Sequence, residues 1–243
     1  MRYRTIKLFA ILCMFAGTAT AQSAFYLEPR LGAGTFRMAA MKEFQNTIIR
    51  NSEVQAKATD SFGPYVQYGI NAVKDLNDNI RAGGFLERGS TGGRVAYEDY
   101  SGELRLDTRL SYLALGALIY AHQPIGSSSF QFIKGFEANV FSSRLHVDSY
   151  SRLYNQTETE NNKFNSLGLG LKPYIGLQYP LLNLPINLTL GYQASASKPF
   201  HVPGKPDQQL SRNNGKDTLE PGWGGLRVNL SVSVPIFKTK EKY

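Results

Sequence analysis

The stretch Leu226-Arg-Val-Asn-Leu-Ser-Val-Ser-Val-Pro-Ile-Phe237 decides how the chain is read. Leu226, Val228, Leu230, Val232, Val234 and Ile236 alternate with Arg227, Asn229, Ser231, Ser233 and Pro235. Successive side chains of a β-strand point to opposite faces, so this segment is a strand with one apolar and one polar face. The same dyad fills residues 186–195, where Ile186, Leu188, Leu190, Tyr192 and Ala194 alternate with Asn187, Thr189, Gly191, Gln193 and Ser195. It also fills residues 166–179, with Leu167, Leu169, Leu171, Ile175 and Leu177 on one face.

Five earlier segments carry the pattern. Phe25, Leu27, Leu31 and Ala33 oppose Tyr26, Glu28, Arg30 and Gly32; Val66, Tyr68, Ile70 and Ala72 oppose Tyr65, Gln67, Gly69 and Asn71. A third strand, from about Ile80, sets Arg81, Gly83, Phe85 and Glu87 on its polar face. A fourth puts Arg105, Asp107 and Arg109 on that face, then turns apolar at nearly every position to Ile119. A fifth sets Phe136, Ala138 and Val140 against Glu137 and Asn139, with a bulge expected past Ser142. Globular strands average about 5–6 residues. These eight are longer, and long enough for the roughly 9–11 residues that a tilted strand needs to cross a bilayer.

The polar face is rich in Gly, Ser and Asn. Small residues suit a narrow, crowded barrel interior better than a solvated sheet surface. The connections alternate as well. Those at 38–61, about 150–163 and about 198–222 are long, with an extended tip at 99–102 between the third and fourth strands; those at 74–78, 122–127 and 180–185 are short. Short periplasmic turns and longer extracellular loops have this parity. Residues 110–133 and 173–197 are uncharged and long enough to span as helices, but prolines and serines interrupt them and no helical period holds.

Composition conceals this pattern. The 243 residues are 42% hydrophobic, carry a net charge of +8, and have a mean hydropathy of −0.28, as a soluble protein would. Averaging outward apolar with inward polar residues gives that value. At the N-terminus Arg2, Arg4 and Lys7 precede an apolar run at 8–17, and Ala19-Thr-Ala21 is a small-x-small cleavage site. The pattern predicts a cleaved signal peptide, residues 1–21, and one barrel domain, residues 22–243. The single cysteine, Cys13, falls in the leader, so the mature chain has no disulfide, thiolate or cysteine–zinc chemistry.

Together these residues resemble the small outer-membrane β-barrel family of Gram-negative bacteria, the eight-stranded OmpA/OmpX-type barrels. Tyr97-Glu-Asp-Tyr-Ser-Gly-Glu-Leu-Arg-Leu106 also resembles stretches of porin-like, PorT-type barrel proteins. The resemblance implies an all-β, antiparallel up-and-down transmembrane β-barrel of eight strands in the cell outer membrane. Phe237 is similar to the aromatic that closes the last strand in that family, although here a basic tail, residues 238–243, follows it.

By phase, Glu28, Arg30, Arg81, Glu87, Arg105, Asp107, Arg109, Glu137, Lys172 and Arg227 face the lumen. An eight-stranded interior is just wide enough for side chains to fill, and buried charges must be paired. The expectation is therefore a structural charge network that plugs the barrel, with a narrow porin-like channel as the alternative. A lipid A-modifying enzyme is the second alternative. Its best candidate is His146-Val-Asp-Ser149, but alternation puts Asp148, not Ser149, on the histidine's face; His122 and His201 sit in a turn and a loop. No catalytic activity is expected. Met41, Phe44 and Ile48 recur at helical spacing within 38–50, predicting a short lid helix over the barrel mouth. Trp223 is expected at a membrane interface. No phosphate-cradling Gly loop and no aromatic-interleaved basic patch appears, so nothing supports nucleic-acid binding, and no cofactor or metal is expected. The expected partners are outer-membrane lipid and lipopolysaccharide, which the positive balance suits, and envelope proteins contacted by the loops. A soluble secreted β protein is the alternative at the level of the fold.

Overall fold

The computed structural model describes residues 24–237 apart from positions 36, 53, 101, 155, 183 and 212–216. The leader at 1–21 and the tail after 237 lie outside the described residues. The elements are β1 (Phe25–Gly34), α1 (Ala39–Asn51), β2 (Lys57–Ser61), β3 (Tyr65–Asn77), β4 (Ile80–Glu98) and β5 (Gly102–Pro124). They continue as β6 (Gln131–Leu153), β7 (Gln156–Leu181), β8 (Leu184–Ser197), β9 (His201–Val202), β10 (Lys205–Gln209), β11 (Gly225–Val232) and β12 (Val234–Phe237).

Among the described residues, β1, β3, β4, β5, β6, β7, β8 and β11 pair in that order, antiparallel throughout, and β11 returns to β1. The ring is closed, so it has no free edge at that level. The last strand is interrupted at Ser233, and its continuation β12 pairs β1 with a register shift. Pro235 lies in that irregular stretch, where a missing N–H costs no regular ladder bond. The two uncharged windows are the β5–β6 and β7–β8 hairpins rather than helices.

Each strand turns apolar side chains outward. Leu31, Ile70, Leu86, Leu115, Val140, Leu169, Leu188 and Leu230, one from each ring strand, are all exposed. An apolar surface continuous around a whole molecule is far larger than water tolerates, and it matches the outer band of a barrel in hydrocarbon. At the end with the short turns, Phe130 and Tyr179 stack outside the barrel, with ring centroids 4.9 Å apart.

The barrel is lopsided. β1, β8 and β11 have 10, 14 and 8 residues, whereas β5, β6 and β7 have 23, 23 and 26. The longer strands are about twice what a bilayer crossing requires. They project past the belt at the loop end as a twisted sheet, which β2 extends along β4 and β9 along β7. This corrects the long loop expected near 150–163, which is strand almost throughout. Its segment Gln-Thr-Glu-Thr-Glu-Asn-Asn-Lys163 is exposed at every position, so it has no buried face to give a period-2 signal. The bulge expected past Ser142 is absent: β6 keeps one register with β5 and β7 along its whole length.

Candidate functional site: the filled lumen

Two layers of side chains fill the interior. The lower layer, toward the short turns, is a polar network with Val73, Phe85, Leu118 and Ile133 buried beside it. Glu28 of β1 is one centre: Oε1 accepts hydrogen bonds from the Tyr120 hydroxyl (2.6 Å) and the Ser233 hydroxyl (2.7 Å), and Oε2 from Asn71 Nδ2 (3.0 Å). Arg81 stands 3.9 Å from Glu28, pairs Asp75 at 2.7 Å, and lies over the Tyr26 ring. Arg30 is the second centre. Its Nη1 bonds Glu137 at 3.0 Å, its Nη2 lies 2.7 Å from Glu87 as a charge contact off the hydrogen-bond line, and its guanidinium stacks on Phe85 at 4.3 Å. Lys172 takes the other Glu137 oxygen at 2.8 Å. These four charged side chains are at most 7% exposed. Each buried charge therefore keeps a partner, as its removal from water requires.

A cavity of about 20 Å³ remains among Glu28, Arg30, Asn71, Tyr120, Glu137 and Tyr174. That is room for roughly one water molecule.

The upper layer is apolar. Met38, Met41, Phe62, Leu110, Tyr112, Ala114, Phe141, Leu145, Phe200, Leu219 and Trp223 form one buried cluster inside the loop end. Part of it is wall (β5 and β6) and part is inserted chain. Helix α1 puts Met41 into the cluster and is tied down by Gln45, whose Nε2 donates to the carbonyls of Asp60 (2.7 Å) and Arg94 (3.0 Å). Met38 (φ 40°) and Phe62 (φ 41°) adopt left-handed backbone, and both side chains end up buried in the cluster. Tyr112 is the seam between the layers: its hydroxyl lies 2.6 Å from Glu87 while its ring meets Trp223 at 4.5 Å. Arg227 gives Nη2 to the Trp223 carbonyl (2.5 Å) and Nη1 to the Thr35 carbonyl (3.2 Å).

Of the residues assigned to the lumen by phase, Glu28, Arg30, Arg81, Glu87, Glu137, Lys172 and Arg227 point inward and are buried. Arg105, Asp107 and Arg109 do not, and this is a correction. They stand on the outer face of the projecting sheet, where Asp107 pairs with Arg94 and lies 3.5 Å from Arg105, and Arg109 lies 3.5 Å from Asp148. Their inward neighbours are Thr108 and Leu110. Above the belt the outside is wet and the inside is packed, so the polarity of the two faces is inverted.

Trp223 needs the same correction. It is not an interfacial residue but a buried part of the upper layer, 1% exposed. The lid helix forms where its spacing predicted, with Met41 and Gln45 buried and its other positions partly or fully exposed. His122 lies at the short-turn end, with Nε2 2.9 Å from the Asp78 carbonyl. His146 faces outward opposite Arg109, and Ser149 points to the other face of β6. His201 pairs β9 to Asn165 of β7. Among the described residues no three His, Cys, Asp or Glu side chains converge in a metal-binding arrangement.

No family model matches the chain, and no curated protein does. Among solved structures it is similar to Neisserial surface protein A, with 16% identity, 89% of this chain and 100% of the other covered, and a TM-score of 0.40. It is also similar to Ail, the attachment invasion locus protein of Yersinia pestis (9%, 89% and 100%, TM-score 0.34). A third is the N-terminal β-barrel domain of Pseudomonas aeruginosa OprF (12%, 88% and 100%, TM-score 0.26). At these values the eight-stranded ring stands on the chain's own strand pairing.

Proposed function

We propose that the protein is an integral outer-membrane barrel that conducts nothing and acts through its projecting sheet, which contacts envelope partners or the exterior. The observation that carries this reading is the filled lumen. A solute would have to displace both the Trp223–Tyr112–Phe141 cluster and the Arg30–Glu137–Lys172 network beneath it. Opening such a path would leave buried charges without partners, at several kcal/mol for each. The short turns, the start of β1 and the end of β12 then lie on the periplasmic side, and the sheet of β4–β7 lies outside the cell, as in outer-membrane barrels generally.

The test is electrical. Purified mature protein, inserted in a planar bilayer and shown to be folded by heat-modifiable gel mobility, should give no steps in current. Stable steps at ordinary salt and voltage would overturn the proposal in favour of a narrow channel.

A further inference from the structure

The hairpins β4–β5 and β6–β7 end side by side, since Gly102 pairs with Leu153. The first turn is fixed by Asp99. Its N–H donates to the Gly102 carbonyl (3.0 Å), while its carboxylate accepts from the Gly102 N–H (3.0 Å) and the Tyr97 hydroxyl (2.6 Å). That turn leaves Tyr100 wholly in water, 101% exposed. Tyr154, in the neighbouring turn, is 77% exposed and takes left-handed backbone, φ 51°. Gly and Asn adopt that conformation most readily, so a bulky, almost uncovered ring there is strain that no contact within the fold offsets.

Membrane anchoring does not account for these rings. Gly102 lies eleven residues along β5 from the exposed Leu113 of the apolar belt, roughly 35 Å of strand. The polar headgroups add only about 5–7 Å to each side of the hydrocarbon, so even a strand tilted by about 45° clears them.

The same tip is acidic, in a chain whose net charge is +8. Residues 97–105 and 150–160 carry five carboxylates and two guanidinium groups. Glu98 stands directly opposite Glu103, and like charges so placed repel. Glu103 has Arg152 at 3.6 Å, but among the described residues Glu98, Glu158 and Glu160 have no cation within ion-pair distance. Glu158 and Glu160 share one face of β7, and both are exposed. At the foot of the tip a tyrosine already takes a cation: the Arg105 guanidinium lies over the Tyr150 ring, 5.5 Å from its centroid.

Exposed aromatic rings flanked by carboxylates that lack cations complement a guanidinium or ammonium group, which stacks on the ring and pairs with the acid. We infer that the tip of the projecting sheet captures an Arg- and Lys-rich segment of a protein outside the cell. Tyr100 and Tyr154 receive the cations, and Glu98, Glu158 and Glu160 neutralise them. An anionic polymer is repelled by the same carboxylates. A neutral glycan would use the rings but leave the acids unpaired. The inference rests on the proposal that this sheet lies outside the cell.

The test uses mature protein folded in phosphatidylcholine nanodiscs and a dye-labelled peptide of alternating Arg and Ser, followed by fluorescence anisotropy at physiological ionic strength. The controls are the same peptide with citrulline in place of Arg, and maltohexaose as a competitor. Wild type should bind the Arg peptide, ignore the citrulline one and be unaffected by maltohexaose. Tyr100→Ser/Tyr154→Asn keeps every charge and should weaken binding on the order of tenfold. Glu98→Gln/Glu158→Gln/Glu160→Gln keeps the rings; it should weaken binding by a similar factor and flatten its salt dependence. Both variants change exposed positions and should keep heat-modifiable mobility. Unchanged affinity in the tyrosine variant would overturn the site in favour of charge attraction alone. Equal binding of the citrulline peptide would overturn the choice of a cation, and displacement by maltohexaose would reassign the tip to a glycan. Folded protein that binds no peptide overturns this inference alone, whereas protein that does not fold into nanodiscs overturns the membrane reading with it.

Discussion

Trp223 donates its indole N–H to the Ser143 hydroxyl at 2.8 Å, joining the last long loop to the inner wall of β6 across 80 residues of sequence. The bond satisfies the one polar atom of a large side chain that otherwise packs on Tyr112 and is 1% exposed. The loop is therefore part of the barrel's filling and not a free extracellular strap.

Because the chain has one tryptophan, its fluorescence reports this contact directly. Emission from protein in vesicles should resist quenching both by aqueous iodide and by brominated lipid. A girdle tryptophan would be quenched by the lipid, which would contradict the buried placement. Trp223→Ala should lower folding stability by about 3–5 kcal/mol, the usual cost of emptying a large aromatic site, measured by urea titration of vesicle-folded protein.

Arg30 bridges Glu87 and Glu137 with almost no solvent contact. Arg30→Met leaves Glu87 with a hydrogen bond from Tyr112 but no touching cation, and should cost roughly 3–5 kcal/mol in the same titration. Adding Glu87→Gln removes the stranded charge, while Glu137 keeps Lys172 at 2.8 Å. The double variant should recover at least about 0.5 kcal/mol relative to the single one, because coupled sites are not additive. Strictly additive losses would mean that the pair does not interact.

The inner wall is tight enough that a single methyl group registers. A Cβ on Gly135 would sit 2.4 Å from Tyr174 Cζ and 2.7 Å from Tyr120 Cβ. Tyr120 cannot retreat without loosening its bond to Glu28. Gly135→Ala should therefore destabilise by about 1–3 kcal/mol. Gly63→Ala is the control: its Cβ would meet nothing nearer than Tyr65 at 4.0 Å, so its urea midpoint should not move.

Within the belt, sequence and structure agree strand for strand. There one face meets hydrocarbon and the other a polar interior, so Leu226–Ile236 or Leu167–Leu177 alternates without a break. The seven inward charges come from such stretches, with neighbours that fix their phase. Beyond the belt the signal changes meaning. Leu110, Tyr112, Phe141 and Leu145 face inward because the loops supply an apolar filling, and nothing local to β5 or β6 announces that partner. Trp223 and Phe200 belong to it through contacts across the whole chain, which no window of sequence contains. Residues 156–163 of β7 are exposed on both faces, so the alternation that marks a strand elsewhere never arises.

The inversion of faces along β5 can be mapped residue by residue, since the chain's one cysteine, Cys13, lies outside residues 22–243. Single cysteines are placed from 105 to 117 in protein folded into vesicles and treated with a charged maleimide. Positions 105, 107 and 109 should label rapidly, because Arg105, Asp107 and Arg109 stand on the wet outer face. Positions 108, 110 and 112 should be protected, as Thr108, Leu110 and Tyr112 are each at most 5% exposed. Positions 113 and 115 share the outer face with 109, yet should also resist the charged reagent and accept a lipid-soluble one, because Leu113 and Leu115 face hydrocarbon. A strand with its charges in the lumen gives a different pattern, with 105, 107 and 109 protected and 108 and 110 open to lipid. The two arrangements are thus separated at adjacent residues, and the point where outer-face labelling by the charged reagent stops marks the edge of the bilayer on β5.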